Sequence, residues 1–291
     1  MLVHIKTIVS KAQKGGYAIG AFNTSNLEVT LGIIRGAIAK NSPIIIQVSE
    51  STIKYAGLKM IANMIQTLAN NEAKNIPIAL HLDHGKSFRS VAECVRAGFS
   101  SVHIDASDLP FEENIALTKQ AVDYAHRYGV WAQGELGSMI GKEGMTTLDV
   151  PKDPNTFMTD PNKVKEFVKN TNVDTLAVSV GTMHGYFKGK EKIDFPRLEK
   201  INKEIPKIPL VLHGASGLIN NDITGAIKLG VRIINIDTDL RIAFTQTLRE
   251  TLKKTPQGFY DPRKILLPSI EAVSKKVEEE IDFFGSSKNN L

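Results

Sequence analysis

Ile78-Ala79-Leu80-His81-Leu82-Asp83-His84-Gly85 is the stretch on which the reading of this chain turns. An apolar run of strand length drives into an acid and an imidazole and stops at a glycine. Side chains alternate along a strand, so His81 and Asp83 share one face while Leu80 and Leu82 share the other. His84 would point away from Asp83 if the strand simply continued, and Gly85 permits the sharp exit that brings both into one site. An acid beside an imidazole at the end of a buried strand suits a metal ligand next to a proton-transfer group. The same letters also suit two capping residues at a strand-to-helix turn. The rest of the chain has to decide.

Outward from this stretch the chain alternates. Strand-like apolar runs are expected at Ala18–Asn23, Pro43–Ser49, Pro77–His84, Ser101–Asp105, Val130–Gly137, Thr175–Thr182, Pro209–Gly214 and Ile233–Asp237. Each is followed by a segment with helical signals: Leu27–Lys40, Ile53–Ala69, Val91–Ala97, Ile115–Tyr128, Val164–Val168, Asn220–Leu229 and Leu240–Lys253 show them most clearly. Ser25 and Asn26 can cap the first, and Asp160-Pro161 opens the helix after a long loop. Eight strand-then-helix units argue for a closed parallel (β/α)8 barrel of the TIM type, in one domain spanning residues 1–291. An open doubly wound sheet would want a glycine-rich dinucleotide turn after its first strand, and Gly20-Ala21-Phe22-Asn23-Thr24 is not one. Pro262–Phe284 reads as an additional C-terminal helix, and Gly285–Leu291 as a frayed tail.

Composition excludes several classes. The chain has 291 residues, 42% of them hydrophobic, enough to bury a large core. Its single cysteine, Cys94, rules out a disulfide framework and fits a reducing, cytoplasmic setting. Lysines interrupt the first apolar residues, so no signal-peptide core is expected, and no run approaches the ~18 apolar residues of a membrane span. The net charge of +5 is scattered, whereas a nucleic-acid surface would show a clustered stripe. No nucleic-acid or membrane partner is therefore expected.

A barrel does its chemistry where its strands end. Those ends carry Ser49-Glu50, Asp83-His84, Asp105, Glu135, Gly181 to Gly185 around His184, His213-Gly214-Ala215-Ser216-Gly217, and Asn235-Ile236-Asp237-Thr238. Three of seven histidines, His84, His184 and His213, fall on this rim. Three imidazoles with an open fourth position are the ligand count of a catalytic zinc site. His81 and His103 sit a step or more inside their strands and are set aside, as are His4 and His126 as surface residues. Gly181, Gly185, Gly214, Ser216 and Gly217 offer backbone N–H groups and a hydroxyl after strands six and seven, and Asn235 to Thr238 do so after strand eight. Barrels commonly hold phosphate in such loops. Ser138–Asp160, long and without an apolar period, is expected to close over the rim as a lid, with Glu143 as its carboxylate near the site.

These segments resemble the class II, zinc-dependent fructose-bisphosphate aldolases of the shorter subgroup, which also includes tagatose-bisphosphate aldolases. The resemblance runs nearly end to end. It includes Gln47-Val48-Ser49-Glu50, Lys54-Tyr55-Ala56-Gly57, His81-Leu82-Asp83-His84, Leu109-Pro110-Phe111-Glu112-Glu113-Asn114, Gly134-Glu135-Leu136-Gly137, Thr159-Asp160-Pro161, Gly181 to Gly185, Leu212 to Leu218, Asn235 to Arg241, and Tyr260-Asp261-Pro262-Arg263. It implies that His84, His184 and His213 hold catalytic zinc and that Asp83 donates the proton to the aldehyde oxygen in the condensation direction. Asp105 and Glu135 would match the positions of a second divalent metal, and Ser49 the contact to the aldehyde. Gly181, Gly185, Gly214, Ala215, Ser216, Asn235, Ile236, Asp237 and Thr238 would match the ketone-phosphate site, with a monovalent cation, Na+ or K+. Glu143 would match the carboxylate that takes the proton from dihydroxyacetone phosphate. Arg263 would reach the far phosphate of a neighbouring subunit in a homodimer or homotetramer. Ile140 and Gly144 stand where the family often has Gly and Asp, Met183 where Ser or Val is common, and His103 where Met is common.

The expected activity is zinc-dependent cleavage and condensation between fructose 1,6-bisphosphate and two triose phosphates, in glycolysis and gluconeogenesis. Tagatose 1,6-bisphosphate is the alternative substrate, and a non-catalytic zinc- and phosphate-binding protein the alternative from another class. The chemistry is coherent in itself. Breaking a carbon–carbon bond next to a ketone builds oxygen charge that a metal stabilises, and it needs one carboxylate for the carbon-bound proton and another acid for the aldehyde oxygen. The Schiff-base route would need a lysine at a strand end. Lys86, Lys142 and Lys188 lie in loops past the rim.

Overall fold

In a computed structural model, residues 1–139, 141–147, 154–187 and 192–289 are described. In chain order the elements are α1 (Ile5–Gly15), β1 (Ile19–Asn23), α2 (Leu27–Lys40), β2 (Ile44–Ser49), α3 (Glu50–Ala56), α4 (Leu58–Asn71), β3 (Ile78–Gly85), α5 (Phe88–Arg96), β4 (Ser101–Ile104) and α6 (Phe111–Arg127). They continue with β5 (Trp131–Leu136), β6 (Gly141–Thr147), α7 (Pro161–Thr171), β7 (Thr175–Val178), β8 (His184–Phe187), α8 (Phe195–Glu204), β9 (Leu210–Leu212), α9 (Asn220–Lys228), β10 (Val231–Ile236), α10 (Thr238–Lys254) and α11 (Pro262–Phe284). The strands β1-β10-β9-β7-β5-β4-β3-β2 close into a parallel barrel of the TIM type, with β6 and β8 paired outside it.

Alternation along the strands builds two shells. Leu80 and Leu82 of β3 face outward into the large core between barrel and helices. Ala79 faces inward with Ala21, Ile45, Ala177, Val211 and Ile233. The helix α1 was not expected from the strand pattern. Its Ile5, Ile8, Val9 and Ala12 fall at helical spacing and bury against this inner apolar layer, closing one end of the barrel. His4 caps this helix by accepting the Lys6 N–H at 3.0 Å. At the C-terminal side, α11 spans the expected residues and packs on α2, where Gly32 and Gly36 leave room for Val273 and Val277.

Two expectations change in detail. The helix expected at Ile53–Ala69 is two helices, because the chain turns at Gly57 with φ +82°. The sixth barrel strand stops at Val178, so His184 does not end it: His184 instead opens the short strand β8, which pairs with β6 with Gly141 opposite His184. The segment expected to close over the rim as a lid, Ser138–Asp160, carries the strand β6. Ile140, Leu148–Asp153 and the side chain of Glu143 lie outside the described residues.

Candidate active site

The turn that ends β3 is made differently from expectation. His84, not Gly85, takes the left-handed conformation, with φ +48°. That swings the imidazole back toward Asp83, at a backbone cost of order 1–3 kcal/mol. Gly85 serves close packing instead, since a Cβ there would lie 2.7 Å from the His103 carbonyl oxygen. The His84 N–H then donates to His103 Nδ1 at 3.2 Å.

Around this turn four imidazoles converge. The His84 ring centroid lies 4.6 Å from His213, 4.8 Å from His103 and 5.0 Å from His184. His184 and His213 are parallel at 5.8 Å. His84 Nε2 and His213 Nδ1 are 2.9 Å apart, while Nδ1 of His84 is 2.7 Å from Asp105 Oδ2. Two nitrogens on a tetrahedral zinc with ~2.0–2.1 Å bonds stand roughly 3.3 Å apart, so this pair is close to chelating distance. Asp83, His84, His103 and His213 form one group able to offer a metal four ligand atoms, and His84, His103, Asp105 and Glu135 form another.

Electrostatics fit a cation. Burial, reinforced by His84, lowers the His184 pKa to about 3 and carries His213 well below the usual range, so both are neutral and have lone pairs to give. Burial opposes charge on His84 too, but Asp83, the hydrogen bond to Asp105, and Glu135 carry its pKa up to about 10. A metal would take the place of that proton. Both Glu135 carboxylate oxygens are buried without a hydrogen-bond donor, and burial next to Asp105 pushes its pKa up to about 8. Orphaned acceptors beside neutral imidazoles are what a divalent metal satisfies.

Asp83 is 1% exposed. Asn23 Nδ2 donates to its Oδ2 at 2.7 Å, and Gln47 Nε2 in turn holds Asn23 Oδ1 at 2.8 Å. Its Oδ1 stands 3.9 Å from His84 Nε2. Asp83, His184 and His213 share a recess with Gly185, Gly214, Ser216, Asn235, Asp237 and Thr238. Gly214 is required there: its φ is +63°, and a Cβ would meet the Met183 carbonyl oxygen at 2.3 Å. A second cavity of about 360 Å³ is lined by Ser49, Glu50, Lys86, Asp105, Glu135 and His184, among others.

Some expected residues bring no side chain to these recesses. Ala215 and Ile236 bury their side chains in the outer core, and Gly181 lies against the Lys192 carbonyl. Arg263 is on the exposed start of α11, paired with Asp261 at 3.0 Å. Conversely, Asn23 and His103 had not been singled out. Asn23 ends β1 and was open to the same strand-end rule; His103 points into the barrel, fully buried.

A family model described as fructose-bisphosphate aldolase class-II matches residues 3–289. The chain belongs to the class II fructose-bisphosphate aldolase family. It is 42% identical over 287 residues to the fructose-bisphosphate aldolase of Geobacillus stearothermophilus, covering 98% of each chain. It is 43% identical over 309 residues to that of Thermus caldophilus, covering 98% of this chain and 99% of the other. Among solved structures, the YdjI aldolase from Escherichia coli K12 superposes with a TM-score of 0.86 at 31% identity over the full length of both chains. As a class II aldolase, the protein is a carbon–carbon lyase with a divalent metal. Among the described residues no helix is long and apolar enough to cross a membrane.

Proposed function

We propose that the protein cleaves and re-forms fructose 1,6-bisphosphate, yielding dihydroxyacetone phosphate and glyceraldehyde 3-phosphate, as a cytoplasmic enzyme of glycolysis and gluconeogenesis. The observation that carries this reading is the buried Asp83 carboxylate, clamped by Asn23 in one recess with two neutral imidazoles and the glycine loop at Gly214. A protein that merely bound zinc and phosphate would have no use for such an acid.

His84, His184 and His213 would hold the metal, which we assign as zinc. When bound, it supplies Lewis-acid polarisation of the substrate's ketone oxygen. Asp105 fixes the His84 ring through Nδ1, leaving Nε2 for the metal. Asn23 holds Asp83 Oδ2 at 2.7 Å while Asn235 Nδ2 reaches Oδ1 only at 3.5 Å, so Oδ1, the more weakly held oxygen, is the atom that exchanges a proton with the aldehyde oxygen. Ser49, 7% exposed and one strand over from Asp83 in register, positions the aldehyde end. The amides at Gly214–Ser216 and Asp237–Thr238 hold the ketone-side phosphate, with Na+ or K+ as counter-ion. Glu143 moves the proton on the ketone carbon; its strand β6 runs beside the start of β8 at His184. Asp105 and Glu135 stand where the family resemblance would place a second divalent metal, with the Lys86 ammonium 2.7 Å from Asp105 Oδ2. Arg263, solvent-facing in one subunit, reaches the far phosphate bound by its neighbour, in a dimer or tetramer, because its planar guanidinium suits a phosphate.

The test is to incubate metal-replete enzyme with fructose or tagatose 1,6-bisphosphate, with and without chelator, and to follow triose phosphate. Chelator-sensitive cleavage of the fructose isomer is expected. Preference for tagatose would correct the substrate, and cleavage of neither sugar would overturn the reading. In the same assay, mixed Asp83→Ala and Arg263→Ala subunits should regain activity; flat activity despite verified exchange would reject the shared site.

A further inference from the structure

We propose that the Lys86 ammonium occupies the place of a second divalent cation at Asp105, so that each chain takes up one divalent metal instead of two. This rests on the reading of His84, His184 and His213 as the primary metal cradle.

A carboxylate offers about four acceptor sites. On Asp105, Oδ1 accepts the Ser107 N–H at 3.2 Å and the Ser107 hydroxyl at 2.7 Å. Oδ2 faces His84 Nδ1 at 2.7 Å and accepts from Lys86 Nζ at 2.7 Å. All four are taken. A dication could bind Asp105 only by expelling one of these donors, and Lys86 is the one that already brings positive charge.

Lys86 is held for this task at both ends. Its backbone N–H donates to Glu50 Oε1 at 2.8 Å, and its ammonium also reaches Asp108 Oδ2 at 3.2 Å. The rest of a metal site is present and incomplete. His84, His103, Asp105 and Glu135 bring ligand atoms within 4.8 Å of one another, and both oxygens of Glu135, which is 1% exposed, lack a hydrogen-bond donor. A tethered monovalent cation thus balances Asp105 where a free divalent one would otherwise bridge Asp105 and Glu135. Removing the ammonium should open that bridge.

The experiment counts metal and does not depend on turnover. Chelator-stripped protein is dialysed to equilibrium against Zn2+, and bound zinc per chain is measured by elemental analysis. Wild type and Lys86→Arg should each hold one equivalent. Lys86→Met should hold two, and adding Glu135→Gln to it should return the count to one. The half-exposed Lys86 side chain makes these variants mild, and Lys86→Gln, neutral and polar, should also hold two equivalents and stands in if the apolar variant misfolds. Two equivalents in wild type, or one in a folded Lys86→Met, would overturn the proposal while leaving the primary cradle intact. None in wild type would overturn the cradle and the proposal together.

Discussion

The two ends of the barrel interior are built from the same strands and do opposite work. At the end closed by α1, the inward residues are Ala21, Ile45, Ala79, Val211 and Ile233. Two positions further along the same faces stand Asn23, Gln47, His81, His213 and Asn235, all buried and all polar. One step of the pleat separates a packed apolar plug from a hydrogen-bonded ring around Asp83 and the histidines. The apolar layer stabilises; the polar layer spends stability to hold unsatisfied acceptors such as Glu135 ready for a ligand. Substitutions in one layer should therefore leave the other's property alone.

The largest stability effect is expected from the plug. Ile8→Ala removes a side chain only 1% exposed from the inner cluster and should cost about 2–5 kcal/mol in denaturant unfolding. Turnover of the folded fraction at low temperature should stay within twofold. A selective loss of turnover would show that the two ends of the barrel are coupled.

A smaller effect separates the barrel from the helix that straps it. Glu280 of α11 is 5% exposed, and burial, reinforced by Asp239 and opposed by Lys276, pushes its pKa up to about 7 from an ordinary 4.5. The folded state thus holds a proton that the unfolded state has lost. Stability from this group is complete below pH ~4.5 and falls as pH rises to about 7 and above, by up to about 3 kcal/mol. Glu280→Gln should flatten that slope between pH 5 and 8 in urea melts. An unchanged slope would show that Glu280 is ionised in the folded protein.

How legible was this in the sequence? The eight strands announce themselves because each is an apolar run bounded by chemistry-bearing residues, and Pro262–Phe284 because Asp261-Pro262 opens it and Gly285 ends it. Asp83, His84 and His213 follow from the strand-end rule. Three things were hidden for physical reasons. The helix α1 carries its signal in Ile5, Ile8, Val9 and Ala12, but lysines and glycines dilute it. The left-handed turn at His84 is strain imposed by tertiary structure, which no propensity for histidine foretells. His103 looked like strand interior because register decides which interior positions face His84 and His213, and β4 slips against β3 between Leu82 and Gly85.

If the polar ring separates metal holding from proton transfer, bound zinc and fructose 1,6-bisphosphate cleavage, determined together, should part company in Asp83→Ala and fall together in His84→Ala. Asp83→Ala should lose about 10²–10⁴-fold in turnover while keeping the zinc content of wild type. His84→Ala should lose both zinc and turnover. If Asp83→Ala also sheds its zinc, the carboxylate is part of the metal's own coordination or support, and the division of labour drawn here is wrong.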